Sequence, residues 1–184
     1  LPITVLFGKS PISYPRNAEA KDCITATMPV KDGILFDADD DRSFTLWPSE
    51  CYAYDIKKEP YDITSTNLND YGIFGADVVS PVNGTIFSVK SDEPETEING
   101  DKYTSVLGNY MFIKIDGSNT YMILSHLKQN SIKVVKGEHV TEGMLLGQVG
   151  NSGASQKPHL HIQHQRNNPL DILISTCAEG LPIK

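Results

Sequence analysis

No histidine precedes residue 126, no two cysteines form a CxxC pair, and no apolar run is long enough for a membrane helix. Each absence excludes something. A histidine-based site must draw its rings from the last third of the chain. Cys23, Cys51 and Cys177 are too few and too scattered for a disulfide framework or a structural zinc knuckle, so at most one bridge can form and one thiol is left over. Without about 20 consecutive apolar residues there is no helical membrane span. Basic residues are also in deficit, 16 against 23 acids, and the net charge of −7 lacks the basic face that a nucleic-acid binder needs. Helical periodicity is scarce throughout.

What is present is a succession of short strands. A length of 184 residues with 39% hydrophobic and 21% charged residues reads as one globular domain with a sizeable core. NYMFIKI (109–115) and TYMILSHL (120–127) alternate in period 2 around DGSN, which predicts a hairpin. SPVNGTIFSVK (80–90) and VTEGMLLGQVGNSG (140–153) are broken by Asn-Gly or Gly, and ECYAYDI (50–56) and LHIQHQ (160–165) are further strands. This pattern predicts an all-β fold, an antiparallel sandwich or open barrel. Two stretches interrupt it. Residues 57–70 are polar, and 91–108 carry Asp92, Glu93, Glu95, Glu97 and Asp101, which read as a solvated acidic loop. DADDD (37–41) reads as a solvated turn, since no EF-hand spacing follows it. The start, LPITVLFGKS with no initiator Met, is read as that of a processed or trimmed chain.

The stretch KPHLHIQHQ (157–165) packs three of the five histidines into nine residues. In a strand, residues i and i+2 share a face, so His159, His161 and Gln163 point one way and Leu160, Ile162 and His164 the other. His159 and His161 can therefore reach one ion or one substrate atom, and His164 cannot join them. His126 shares parity with Met122 and Leu124, the position of a core histidine. His139 sits beside a turn among charged residues and reads as surface.

Residues 109–165, with the ordered motifs SHL, VTEGMLLGQVGNSG and PHLH, resemble the core of the M23 (lysostaphin/LytM-type) zinc metallopeptidases. YGIFGADVVSPVNGTIF (71–87) and YAYDI (52–56) resemble upstream motifs of the same family, and the likeness extends over about residues 50–184. The resemblance implies an antiparallel, duplicated-hybrid-like fold with long loops around a groove. It implies residues 46–184 as the peptidase domain and residues 1–45 as an extension packed on or over the groove. It also implies zinc as cofactor, Asp55 and His161 as zinc ligands, and His126 and His159 as catalytic neighbours. The substrate would be a peptide of bacterial cell-wall peptidoglycan, and the location extracytoplasmic: secreted, periplasmic or wall-associated.

One position departs from the family. Its first zinc ligand is a histidine four residues before the Asp, where this chain has Cys51. Three readings stand. Cys51 replaces the histidine, since 51, 53 and 55 share a face in a regular strand and a thiolate binds zinc at about 2.3 Å. An acid (Asp37, Asp39, Asp40, Asp41 or Glu50) supplies an oxygen ligand. Or the site is incomplete, and the protein is an inactive homologue that binds peptidoglycan or regulates another wall hydrolase, with Cys51 a buried thiol or bridged to Cys23 or Cys177. A biotinyl or lipoyl carrier, which SPVNGTIFSV and VKGEHVTEGMLLGQVG also resemble, is excluded because the turn between them lacks the required lysine motif.

Overall fold

The computed structural model describes residues 24–38, 52–166, 168–170, 180, 181 and 183. Cys23, Cys51 and Cys177, the acids Asp39, Asp40, Asp41 and Glu50, and the boundary expected near residue 45 lie outside these residues.

The described residues hold ten strands, in chain order β1 Ile34–Asp37, β2 Tyr54–Lys57, β3 Asp77–Val79, β4 Gly84–Lys90, β5 Asn109–Ile115, β6 Tyr121–Leu127, β7 His139–Val140, β8 Leu145–Gln148, β9 Leu160–Gln165 and β10 Gly180–Leu181. Among the described residues the only helical element is one 3-10 turn, Leu68–Asp70. The main sheet runs β1-β2-β9-β6-β5-β4-β7, with β10 also on β9, while β3 and β8 form a separate ribbon. All these ladders are antiparallel. The expected all-β antiparallel fold is therefore the fold found.

The alternation read from the sequence sets the layers. On β9, Leu160 and Ile162 are buried with Met122 and Leu124 of β6, Ile113 of β5, and Tyr54 and Ile56 of β2. Val78 and Leu146 of the ribbon close this core, together with Ala26 and Val30 from the segment before β1. Residues 24–38 are thus part of the sheet and core. Burying a Leu or Ile side chain removes enough apolar surface to contribute about 1.5–3 kcal/mol, and these rows of β-branched and γ-branched residues supply the main cohesion of the two layers.

The opposite face of the main sheet carries the polar residues. Asp55 of β2 pairs directly with His161 of β9, and His161 in turn pairs with Ser125 of β6. Gln163 is two residues along from His161, on the same side.

The acidic stretch 91–108 departs from its sequence reading. Glu93 is buried, with Oε1 accepting the backbone amides of Thr104 (2.7 Å) and Ser105 (3.0 Å) and Oε2 paired with Lys90 Nζ. Glu95 accepts the amides of Gln129 (2.8 Å) and Asn151. Two of the five acids are therefore clamps on the backbone, because a carboxylate satisfies two otherwise stranded N–H groups at once.

Candidate functional site

Three histidines and one aspartate meet at the β2-β9-β6 end of the polar face. His161 Nδ1 lies 3.0 Å from Asp55 Oδ1, across a cross-strand pair 106 residues apart in the chain. His159, just before β9, places Nε2 3.7 Å from the same oxygen. The His126 ring centroid lies 4.6 Å from that of His159 and 6.2 Å from that of His161. The sequence reading brought Asp55, His126, His159 and His161 together, and the structure does the same.

His126 arrives by a route that strand parity does not give. On β5 and β6 the register runs Met111↔Leu124 and then Asn109↔Leu127, so Ser125 and His126 together oppose Tyr110. This bulge adds one residue and turns Leu127 into the core beside Leu124. His126 takes a left-handed backbone, φ +62°, a conformation that costs a side-chain-bearing residue about 1–3 kcal/mol and is held only by its surroundings. Its amide donates to Leu107 O (3.0 Å). Regular alternation would have buried the ring against Met122 and Leu124, as the sequence suggested. The bulge turns it towards the other histidines instead.

Each flanking ring is anchored through Nδ1. His126 Nδ1 lies 2.8 Å from Ser152 O, and His159 Nδ1 lies 2.8 Å from Lys157 O and 3.2 Å from Ser155 Oγ. A carbonyl only accepts, so in the neutral form of each ring the proton sits on Nδ1 and the Nε2 lone pair faces the site. Two glycines permit the anchor on His126. Gly108 (φ +61°) and Gly153 (φ +81°) cross in van der Waals contact, and a Cβ on Gly153 would stand 2.3 Å from Gly108 N. The signal for Gly153 was the GNSG of 150–153, though nothing in the sequence said what it would hold.

Burial and its neighbours set the charges. His126 is pushed down to about 3, first because its ring is buried and then because His159 and His161 repel a second positive charge. It is neutral at working pH. Burial alone would raise the Asp55 carboxyl, but His159 and the hydrogen bond and charge of His161 outweigh it and hold the group well below the usual carboxylate range. Asp55 is therefore ionised.

This donor set suits a small cation. Two ligands of a tetrahedral zinc at about 2.0–2.1 Å stand about 3.3 Å apart, close to the 3.0 Å between Asp55 Oδ1 and His161 Nδ1. Among the described residues no group of three metal-binding side chains assembles. Cys51 is outside them, and β2 begins only at Tyr54, so regular strand parity does not reach back to residue 51. Ser125, opposite His161, is wholly buried and its hydroxyl has no hydrogen-bond partner.

The remaining histidines are elsewhere. His164 points away from the cluster and its Nε2 meets Thr120 Oγ1 at 2.8 Å, while exposed His139 pairs with Asp116 at 2.7 Å. Beside the cluster, Lys157 Nζ donates to Ile63 O (3.1 Å) and Tyr71 Oη to Ser65 O (2.9 Å), which fixes the 57–70 loop as a rim next to His159.

The chain is similar to several known proteins. Peptidoglycan DD-endopeptidase ShyC of Vibrio cholerae is 33% identical over 90 residues, 48% of this chain and 19% of that protein. ShyA of the same organism is 34% identical over 89 residues, 46% of this chain and 20% of that protein. The chain spans about a fifth of the length of these curated relatives. The crystal structure of a zinc containing peptidase from Vibrio cholerae is 22% identical, with a TM-score of 0.42, over 76% of this chain and 32% of that one. The model of peptidase family M23 matches residues 70–172, a span that holds His126, His159 and His161. That match covers more than half of the sequence, and the chain belongs to peptidase family M23.

Proposed function

We propose that the protein is a zinc-dependent endopeptidase that hydrolyses peptide bonds in bacterial cell-wall peptidoglycan and works outside the cytoplasm. The observation that carries this reading is the meeting of Asp55 Oδ1 and His161 Nδ1 at 3.0 Å, with two further imidazoles anchored so that their Nε2 lone pairs face the same point. The M23 family is one of zinc peptidases, and the names of ShyA and ShyC supply the substrate class.

Asp55 and His161 are the two described residues that would hold the metal, with Cys51 as the third ligand. Zinc would supply a Lewis acid that polarises a carbonyl and makes water nucleophilic near neutral pH. The chain's own groups handle protons. His159 Nε2 accepts the proton of the attacking water, and the imidazolium so formed is stabilised by Asp55 and by the Lys157 carbonyl on Nδ1–H. His126 stays neutral and offers Nε2 to orient water or the departing amine. With Nδ1 of both rings committed to carbonyls, neither ring has to reorient during the reaction.

A second reading, an inactive homologue that binds wall or regulates another hydrolase, is favoured by one observation. No third metal ligand is assembled among the described residues. Elemental analysis of wild type and Cys51→Ala, alongside mass spectrometry of peptides released from purified peptidoglycan, separates the two. Near-stoichiometric zinc and new peptide termini in wild type, both lost in Cys51→Ala, are the expected result. Wild type that takes up no zinc and releases no peptide establishes the second reading.

A further inference from the structure

The sheet face that carries the histidine cluster is polar over β2 and β9 but aromatic over β4, β5 and β6. Tyr110, Phe112 and Lys114 alternate out of β5 on this side. Tyr121 of β6 stands opposite Lys114, and Gln165 of β9 opposite Tyr121. β4 adds a ring through a bulge. Ile86 opposes Ile113 and Ser88 opposes Phe112, so Phe87 is an extra residue and leaves the core side that Ile86 occupies. The Phe87 and Tyr121 rings meet edge to face, centroids 5.2 Å apart, across the β5 strand that separates β4 from β6. Tyr110 stacks on Phe112 at 4.2 Å, with 12° between the planes. Phe112 is buried, whereas Phe87, Tyr110 and Tyr121 are each half-buried.

This row has two ends. At one, Tyr110 faces the bulge at Ser125 and His126. At the other lies an open cleft of about 530 Å³ whose lining includes Thr85, Lys114, Asp116, Ser118 and Asn119. The backbone beneath the rings has little to offer a ligand. β5 is paired with β4 and β6, and β6 with β5 and β9, so a peptide finds no strand edge there on which to extend the sheet. Ring faces and side-chain tips must do the binding. Aromatic faces beside carboxylate, amide, hydroxyl and ammonium groups suit a molecule with C–H faces and hydroxyl edges, which describes a pyranose ring. Lys114 and Asp116 offset each other's charge, which favours a neutral ligand. From Tyr110 to Lys114 the strand rises about 13 Å, room for about two or three linked rings.

We propose that this aromatic row binds a chain of neutral, N-acetylated pyranose rings, stacked on Tyr110 and on the Phe87–Tyr121 pair. Their polar edges are taken at the cleft by Asn119 and by Asp116, which His139 braces at 2.7 Å. The choice of an N-acetylated sugar rests on the reading of cell-wall peptidoglycan as substrate, whereas the row itself does not. Because Tyr110 borders the histidine cluster, a glycan held here runs alongside the site and presents the peptide attached to it.

The experiment is a ¹H–¹⁵N NMR titration of the full metal-free chain with chitotetraose, the linked tetramer of N-acetylglucosamine, and with tetra-alanine as the sugar-free control. Saturable shifts confined to the amides of 84–88 and 110–121 are expected with the sugar. Tyr110→Ala should weaken binding about 10-fold, and Tyr110→Phe, which keeps the ring face, should bind as wild type does. If Tyr110→Ala fails to melt cooperatively, Tyr121→Ala takes its place with the same expected loss. The absence of saturable shifts in wild type overturns the proposal, as does unchanged affinity in whichever Ala variant folds. Shifts of these amides by tetra-alanine and not by the sugar overturn it in favour of a peptide surface, and shifts on diluting the ligand-free protein overturn it in favour of a second copy of the chain. Cleavage plays no part in this readout. Sugar binding by a chain that takes up no zinc and releases no peptide leaves the row standing and removes the peptidase reading; peptide release without sugar binding does the reverse.

Discussion

Replacing Glu93 by Gln tests whether the acidic loop is a solvated segment or part of the framework behind the site. Burial by itself pushes this carboxyl up, but the Lys90 ammonium and the amides of Thr104 and Ser105 outweigh it and bring the group from 4.5 to about 2. Since each tenfold step in an equilibrium constant is about 1.4 kcal/mol, a shift of that size contributes at most about 3 kcal/mol to stability at neutral pH. Lys90 is reached by solvent at 28%, and screening reduces the expected share to about 1–2 kcal/mol. The folded-state value lies below the unfolded one, so the contribution is present above about pH 4.5 and is lost as pH falls towards 2. Urea unfolding of wild type and Glu93→Gln across that window should show a gap of about 1–2 kcal/mol at pH 7 that closes in acid. A gap that does not change with pH, or none at pH 7, refutes the reasoning and returns Glu93 to the solvated loop. The variant also reaches the site. The turn it holds leads to Leu107, whose carbonyl accepts the His126 amide, so peptide release should fall along with stability.

Three further expectations concern the same framework. Gly153→Ala places a Cβ against the Gly108 backbone in a left-handed conformation, which should cost about 2–4 kcal/mol in unfolding experiments; by shifting the Ser152 carbonyl it should also lower kcat about 10–100-fold. Ser125→Ala removes a buried hydroxyl that has no partner, so the unfolding free energy should hold or rise by up to about 1 kcal/mol; a loss of zinc or of cleavage would instead show that the hydroxyl serves the loaded site. Deleting residues 1–45 removes Ala26, Val30 and β1 from the core and should abolish cooperative melting by circular dichroism.

Much of this arrangement was legible in the chain itself. Period-2 alternation marked β5, β6 and β9 because each strand has one face on the core, and a strand half-buried in this way writes its orientation into its residues. DGSN marked the hairpin between β5 and β6. The same periodicity put His159, His161 and Gln163 on one side and His164 on the other, as found. The motif order pointed to M23 before any geometry was known. What only the tertiary structure decided are the contacts between segments with no local relation. Asp55 meets His161 because β2 and β9 are neighbours in the sheet, and register between strands about a hundred residues apart is set by the packing of the whole sheet. His126 defeats parity because a bulge inserts one residue at Ser125–His126, and a bulge in a non-glycine sequence leaves no local mark. Glu93 and Glu95 look solvated in sequence because their partners are backbone amides, which every residue carries and no sequence advertises.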